Sequence, residues 1–200
     1  MNDLLKREWY LDLDRTLFDT ERFVLELFKV AGRIYREKGV RRMRLLTDLP
    51  HQIRYVGDLS YYPFFDHLAE YGVDTQEAKK LLYEALKDND FLYKDAHELL
   101  DWLESHGIQP HILTFGDKDY QSFKISLAPR LQNLPVTIVQ ESKGAFLARQ
   151  ACESAILVDD KLVTDLPEWC TGALLTRKKS VAGYNGLVIK NLNDLMRFVE

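Results

Sequence analysis

Two hydrophobic rhythms alternate along the chain, and they predict two kinds of element. Short unbroken apolar runs read as strands buried on both faces. Five such runs occur: Trp9-Tyr10-Leu11, then residues 108–114, 136–139, 155–158 and 171–176. Longer stretches with apolar residues every three or four positions read as amphipathic helices. The first spans Glu21 to about Glu37, with Thr20 as a candidate cap and Phe23, Leu27, Val30 and Ile34 on its apolar side. Others are predicted over 60–72, 76–87, 95–106, 118–127, 144–152 and 193–199. Asp74 or Thr75 can cap the helix over 76–87, and Gly72 and Gly107 stand where helices stop. Residues 20–91 carry no convincing strand, whereas strand and helix alternate from Lys94 onward. Joined to the first strand, that alternation describes an α/β fold, a Rossmann-like parallel sheet covered by helices on both faces. The expected division is an α/β core of residues 1–19 and 92–200, with a helical domain of residues 20–91 inserted after the first strand.

The first strand ends abruptly in acid, as Asp12-Leu13-Asp14-Arg15-Thr16. If the strand continues through Leu13, Asp12 and Asp14 share a face, because side chains alternate with period two. The carboxyl edge of a parallel sheet is where open α/β folds bind ligands. Two carboxylates so close are not ionised cheaply without a cation or a shared proton. An Asp-rich turn is the plain alternative, and a DxDxT pattern arises by chance in roughly one chain in thirty of this length. Its weight comes from what ends the later strands: Thr114 with Phe115 and Gly116, Lys143 just beyond the third run, and Asp159-Asp160.

Each of these suits phosphoryl transfer. Asp12 is placed to attack phosphorus, giving an aspartyl-phosphate, and Asp14 to protonate the leaving oxygen and then deprotonate water. The Thr114 hydroxyl and the Phe115 and Gly116 amides offer donors to phosphoryl oxygens. Lys143 supplies a fixed cation against the repulsion between nucleophile and phosphate. Asp159 and Asp160 complete, with Asp12, an oxygen-rich site for Mg²⁺.

Composition narrows the field further. The 200 residues are 46% hydrophobic and 29% charged, enough to bury a substantial core. A net charge of −4 argues against nucleic-acid binding by bulk charge. No apolar run approaches a membrane span and the N-terminal residues lack a signal-peptide core, so the expectation is a cytoplasmic protein without a membrane partner. Cys152 and Cys170, in no metal-ligand spacing, are expected to be reduced thiols. Residues 40–48 carry Arg41, Arg42 and Arg44, a solvated face or an anion-attracting rim.

Taken together, the four groups of residues resemble the motifs of the haloacid-dehalogenase-like (HAD) hydrolase superfamily over essentially the full chain. Asp12-Leu13-Asp14-Arg15-Thr16 looks like the first motif and Ile112-Leu113-Thr114 like the second. Lys143 looks like the third motif, and Asp159-Asp160 like the fourth. The resemblance implies Mg²⁺ held by the Asp12 carboxylate, the Asp14 backbone carbonyl and the fourth-motif acids, with Asp160 the stronger match to the family's metal-binding Asp. It likens the insertion at 20–91 to the C1 cap of subfamily I, and it places Asp165 where some members carry a further acid. Arg15 stands where many members have Gly, and the Lys143–Asp160 interval is short, which implies a clipped helix. The expected function is a Mg²⁺-dependent phosphatase acting on a small phosphorylated metabolite. The alternatives are a phosphotransferase or phosphomutase of the same superfamily, a 2-haloacid dehalogenase, or a non-catalytic phospho-ligand-binding regulatory protein. Dehalogenases of this kind typically lack the acid corresponding to Asp14, and loss of Asp12, Asp14 or Lys143 would have favoured the binding protein. A signalling receiver domain also uses Asp, Thr, Lys and Mg²⁺, but it carries no such helical insertion.

Overall fold

Four residues, Glu8–Leu11, form the strand from which the sheet grows outward in both directions, and the last three of them are buried. The computed structural model describes residues 4–37, 64–70, 72–177 and 186–198. In chain order the principal elements are β1 (Glu8–Leu11), α1 (Thr20–Glu37), α2 (Phe64–Glu70), α3 (Thr75–Leu86) and α4 (Lys94–Ser105). There follow β2 (His111–Phe115), α5 (Lys118–Ser126), β3 (Val136–Val139), α6 (Lys143–Leu147) and β4 (Ala155–Asp159). β5 (Cys170–Leu175), β6 (Leu187–Ile189) and α7 (Asn193–Arg197) complete the chain. Arg41, Arg42, Arg44 and the start of the helix expected over 60–72 lie outside the described residues.

The chain divides into two compact units. One comprises Met1–Asp19, Leu92–Phe115 and Asn133–Glu200; the other comprises Thr20–Phe91 and Gly116–Gln132. The first unit holds a six-stranded sheet of order β3-β2-β1-β4-β5-β6, and every pairing in it is parallel. After β1 the chain builds two strands on one side and then crosses to build three on the other. The order therefore reverses at β1 and β4, and that switch point is where sheets of this order open a ligand crevice beyond their carboxyl ends. Backbone pairing carries the register past the end of β1, since the Asp12 amide donates to the Val158 carbonyl at 2.9 Å.

All five residues of β4 are buried, the apolar run 155–158 as predicted and Asp159 at its end. Tyr10, Leu113, Val139, Leu147, Ala155, Leu157 and Cys170 form one core cluster. Trp9, of opposite parity to Tyr10 on its strand, packs edge-on against Trp102 of α4 at 6.0 Å. α4 stops where the sequence predicts, at Gly107 with φ of +69°, a conformation that glycine adopts without steric cost. β6 is the one strand not predicted, and its three residues pair with Ala173, Leu174 and Leu175 of β5. Cys152 and Cys170 are free thiols, and burial pushes the Cys170 thiol up to about 11.

The second unit is helical. Its centre is aromatic: Phe23 of α1 lies 5.4 Å from Phe91 and 5.9 Å from Tyr120, and Phe65 of α2 lies 5.3 Å from Phe123. Tyr120 and Phe123 belong to α5, so the segment 116–132, expected with the sheet, clusters instead with the helices of 20–91. Lys79 of α3 joins the same packing, 4.8 Å over the Phe65 ring and 2.6 Å from Asp119. α3 is capped by Asp74, whose carboxylate accepts from the Glu77 amide at 2.7 Å. Among the described residues no helix is long and apolar enough to cross a membrane.

Candidate active site

At the carboxyl end of the sheet, the turn after β1 is folded tightly on itself. The Leu17 and Phe18 amides both donate to the Leu13 carbonyl, and the Arg15 amide donates to the Phe18 carbonyl at 2.9 Å. Arg15 sits at φ of +60°, the one described non-glycine residue with positive φ. A left-handed L-residue is disfavoured by about 1–2 kcal/mol, so the turn holds Arg15 in a conformation that glycine adopts without that cost. This turn fixes Asp12, buried at the strand end, and Asp14, half-buried two residues on.

Lys143 reaches the same point from β3. It is the first residue of α6, whose N-cap is Ser142, with its hydroxyl oxygen accepting from the Ala145 amide at 3.0 Å. The Ser142 hydroxyl in turn donates to the Asp165 carboxylate, and a Cβ at Gly144 would collide with Asp165. Asp165, whose role the sequence left undecided, thus secures the start of the helix that presents Lys143. α6 is only five residues long, shorter than the 144–152 predicted from periodicity and in keeping with the clipped interval before Asp160.

The Lys143 ammonium is buried between two carboxylates. It donates to Asp12 and, at 2.6 Å, to Asp159 Oδ2. Asp159 ends β4 and accepts from the Lys161 amide at 2.8 Å through its other oxygen. Asp12, Asp159 and Asp160 each bring a carboxylate oxygen to one place, all within 4.8 Å of one another. At that separation two unit charges repel by about 3 kcal/mol in an effective dielectric near 20. One ammonium does not balance three such acids.

The ionisation of the group follows from this geometry. Burial pushes the Asp12 carboxyl up; Lys143 opposes that, and the charges of Asp159, Asp160 and Asp14 add to it. Burial by itself would lower Lys143, but the Asp12 and Asp159 carboxylates outweigh it and hold the ammonium well above its ordinary value. Asp160 is pushed up to about 6, by burial first and then by Asp159, against the pull of Lys161, Arg15 and Lys143. A cluster of oxygen donors with surplus negative charge suits a hard divalent cation.

Thr114 lies at the end of β2, next to β1, fully buried, and its hydroxyl oxygen has no hydrogen-bond partner among the described residues. Leaving a buried hydroxyl unsatisfied disfavours the fold by about 1–3 kcal/mol. Phe115 ends β2, and Gly116 follows at φ of +143°, a backbone state that favours glycine. The structure thus brings Asp12, Lys143, Asp159 and Asp160 into one cluster and sets Asp14 beside it in the acidic turn. Residues that sequence reasoning passed over also touch this turn: Arg177 donates to the carbonyls of Arg15 and Thr16. They are 162 and 161 positions away in the chain, so no local spacing could have signalled it.

No family model matches the sequence, and no curated protein matches it. Solved structures do. The HAD phosphatase of Thermococcus onnurineus superposes with a TM-score of 0.67 at 22% identity, over 96% of this chain and 97% of that one. A haloacid dehalogenase-like hydrolase of Burkholderia xenovorans LB400 gives 0.62 at 19% identity, over 95% and 96% of the two chains. The 2-haloacid dehalogenase of Pseudomonas syringae pv. Tomato DC3000 gives 0.56 at 18%, over 96% of each. With the parallel sheet, its strand order and near-complete coverage on both sides, the chain has the fold of the haloacid dehalogenase-like hydrolases.

Proposed function

We propose that this protein is a Mg²⁺-dependent phosphatase that hydrolyses a small phosphorylated metabolite through an aspartyl-phosphate at Asp12. The observation that carries the reading is the buried Lys143 ammonium clasped by Asp12 and Asp159, with Asp160 beside them. The cation would be held by the carboxylates of Asp12, Asp159 and Asp160, with the Asp14 carbonyl added by family resemblance. When bound, it supplies positive charge against the phosphoryl oxygens.

The chain's own residues then account for the chemistry. An Asp12 carboxylate oxygen attacks phosphorus, the bond to the leaving oxygen breaks, and Asp14 gives that oxygen a proton. In the second half Asp14 takes a proton from water, the water oxygen attacks phosphorus, and Asp12 departs as a carboxylate with inorganic phosphate released. Lys143 and the Thr114 hydroxyl donate to oxygens on which charge develops. The test is a panel of phosphorylated metabolites assayed with Mg²⁺ and with EDTA. Turnover that chelation abolishes is the expected result. Turnover that survives chelation, or halide release from 2-haloacids with no phosphatase activity, would overturn the reading.

Replacing Asp14 by Asn leaves the nucleophile and the backbone in place but removes the proton shuttle. General acid–base catalysis contributes about 10²–10⁴-fold, so kcat on an alkyl phosphate should fall by that order. The loss in kcat/KM should be much smaller for an aryl phosphate whose leaving group needs no proton. Equal losses on both would count against this role.

Binding of the cation should depend on pH with a definite sign. Asp160 has a higher proton affinity folded than unfolded, so the native state binds more protons between about pH 4 and 6, and stability without metal falls as pH rises through that window. A cation needs the ionised forms, and protons displaced from Asp160 and from Asp12, itself pushed up by burial, each weaken its binding by up to about tenfold per pH unit. The rise in Tm on adding Mg²⁺ should therefore grow from pH 5 to pH 7.5. A rise independent of pH would contradict a cation held by these carboxylates.

A further inference from the structure

Arg177 stands two residues beyond β5 and takes no part in the chemistry above. Its guanidinium nevertheless closes over the acidic turn. Nε donates to the Arg15 carbonyl at 3.1 Å and Nη2 to the Thr16 carbonyl at 2.7 Å. Nη1 donates to Asp95 Oδ2 at 2.8 Å, and the cation lies 3.9 Å over the Tyr93 ring. Asp95 is itself fixed, accepting from the Leu192 amide at 2.9 Å through the same oxygen. On the other side of the turn, the Tyr93 amide donates to the Leu17 carbonyl at 2.9 Å. The base of the Arg177 side chain is equally constrained, because the Thr176 amide donates to the Ile189 carbonyl at 2.8 Å.

An exposed ion pair of an arginine adds little. This one differs: its side chain is 22% exposed, and its planar fork spends two edges on successive peptide carbonyls. Two carbonyls facing one rigid donor fix two successive peptide planes. Those planes, Arg15–Thr16 and Thr16–Leu17, begin one residue after Asp14, at the left-handed Arg15. A lysine has a single ammonium and does not hold both carbonyls and Asp95 in this geometry.

We propose that Arg177 is a positioning residue of the acidic turn, setting the peptide planes of Arg15 and Thr16 and so the approach of the Asp14 carboxyl to the leaving oxygen. The catalytic half of this inference rests on the phosphatase reading. The structural half does not. Since Asp14 acts on the leaving group, loosening its turn lowers the rate of bond breaking more than it lowers substrate binding.

The experiment uses the full chain with Mg²⁺, comparing wild type, Arg177→Met and Arg177→Lys. Two substrates are assayed, an alkyl phosphate and para-nitrophenyl phosphate, and amide hydrogen exchange is followed without substrate. In Arg177→Met, the amides of Arg15 and Phe18 should exchange about tenfold faster while those of β1 and β4 are unchanged. Its kcat on the alkyl phosphate should fall about 10–100-fold with KM within about threefold, and kcat/KM on para-nitrophenyl phosphate should fall far less. Arg177→Lys should lie between the two, and it carries the test alone if the Met variant does not fold. Unchanged exchange in the turn, or an equal loss on both esters, overturns the positioning role. A wild type inactive on every phosphate ester overturns the phosphatase reading instead, and the exchange of the turn still decides whether Arg177 holds it.

Discussion

Asp12→Asn is expected to abolish turnover and any covalent phospho-enzyme together. Asp12 ends β1, at the point where the sheet order reverses, and it is buried with one oxygen facing the Lys143 ammonium. An amide is a far poorer nucleophile than a carboxylate, and no neighbouring acid replaces it. Asp159 is committed through both oxygens, to Lys143 and to the Lys161 amide. Asp160 stands one residue past the end of β4, the strand that ends in Asp159. The expected residual rate is therefore the background rate, a larger loss than for any other single change in the site. Mg²⁺ should still raise the Tm of this variant, by less than in wild type, because two of the three clustered carboxylates remain. Turnover within about tenfold of wild type would remove Asp12 from the role of nucleophile.

Lys143→Met should have the next largest effect, and it should act on both stability and rate. The substitution leaves Asp12 and Asp159 buried without their shared counter-charge. Breaking a buried ion pair in this way typically destabilises by about 3–5 kcal/mol, which for a chain of this size lowers Tm by about 6–20 °C. Part of that loss should return on adding Mg²⁺ or on lowering the pH, since either relieves the uncompensated acids. Measured well below the transition, kcat should fall by about 10²–10³-fold, as when one preorganised donor is removed from a developing charge. A variant of unchanged Tm and near-normal kcat would show that the ammonium is no more than a surface charge.

Much of this site is legible in sequence, for a physical reason. A strand buried on both faces must be apolar throughout, so a carboxylate directly after it marks the sheet edge. Asp12 and Asp159 both follow such runs, and Lys143 follows Val139 by four positions. What sequence could not give is how the two fourth-strand acids divide: Asp159 is buried against Lys143, and Asp160 brings a carboxylate oxygen to the same cluster. β6 escaped because three residues, one of them exposed, are too few for any periodicity. Periodicity predicts a longer helix after β3, because Phe146 and Leu147 start an amphipathic pattern that the chain abandons at Ala148. Arg177 and Asp95 meet across 82 positions, through a fold-dependent contact that no spacing encodes. The segment 116–132 looked like part of the α/β alternation; its aromatic residues, Tyr120 and Phe123, find their partners on α1 and α2.

On the phosphatase reading, the phosphoryl group passes through a covalent bond to Asp12. Rapid-quench labelling with a ³²P-labelled substrate, followed by digestion and peptide mapping, reads that bond. With an aryl phosphate, wild type should give an acyl-phosphate burst that maps to the peptide containing Asp12, absent from Asp12→Asn and accumulating in Asp14→Asn. Label on Asp14, Asp159 or Asp160, label retained by Asp12→Asn, or steady turnover with no labelled protein at any time would contradict it.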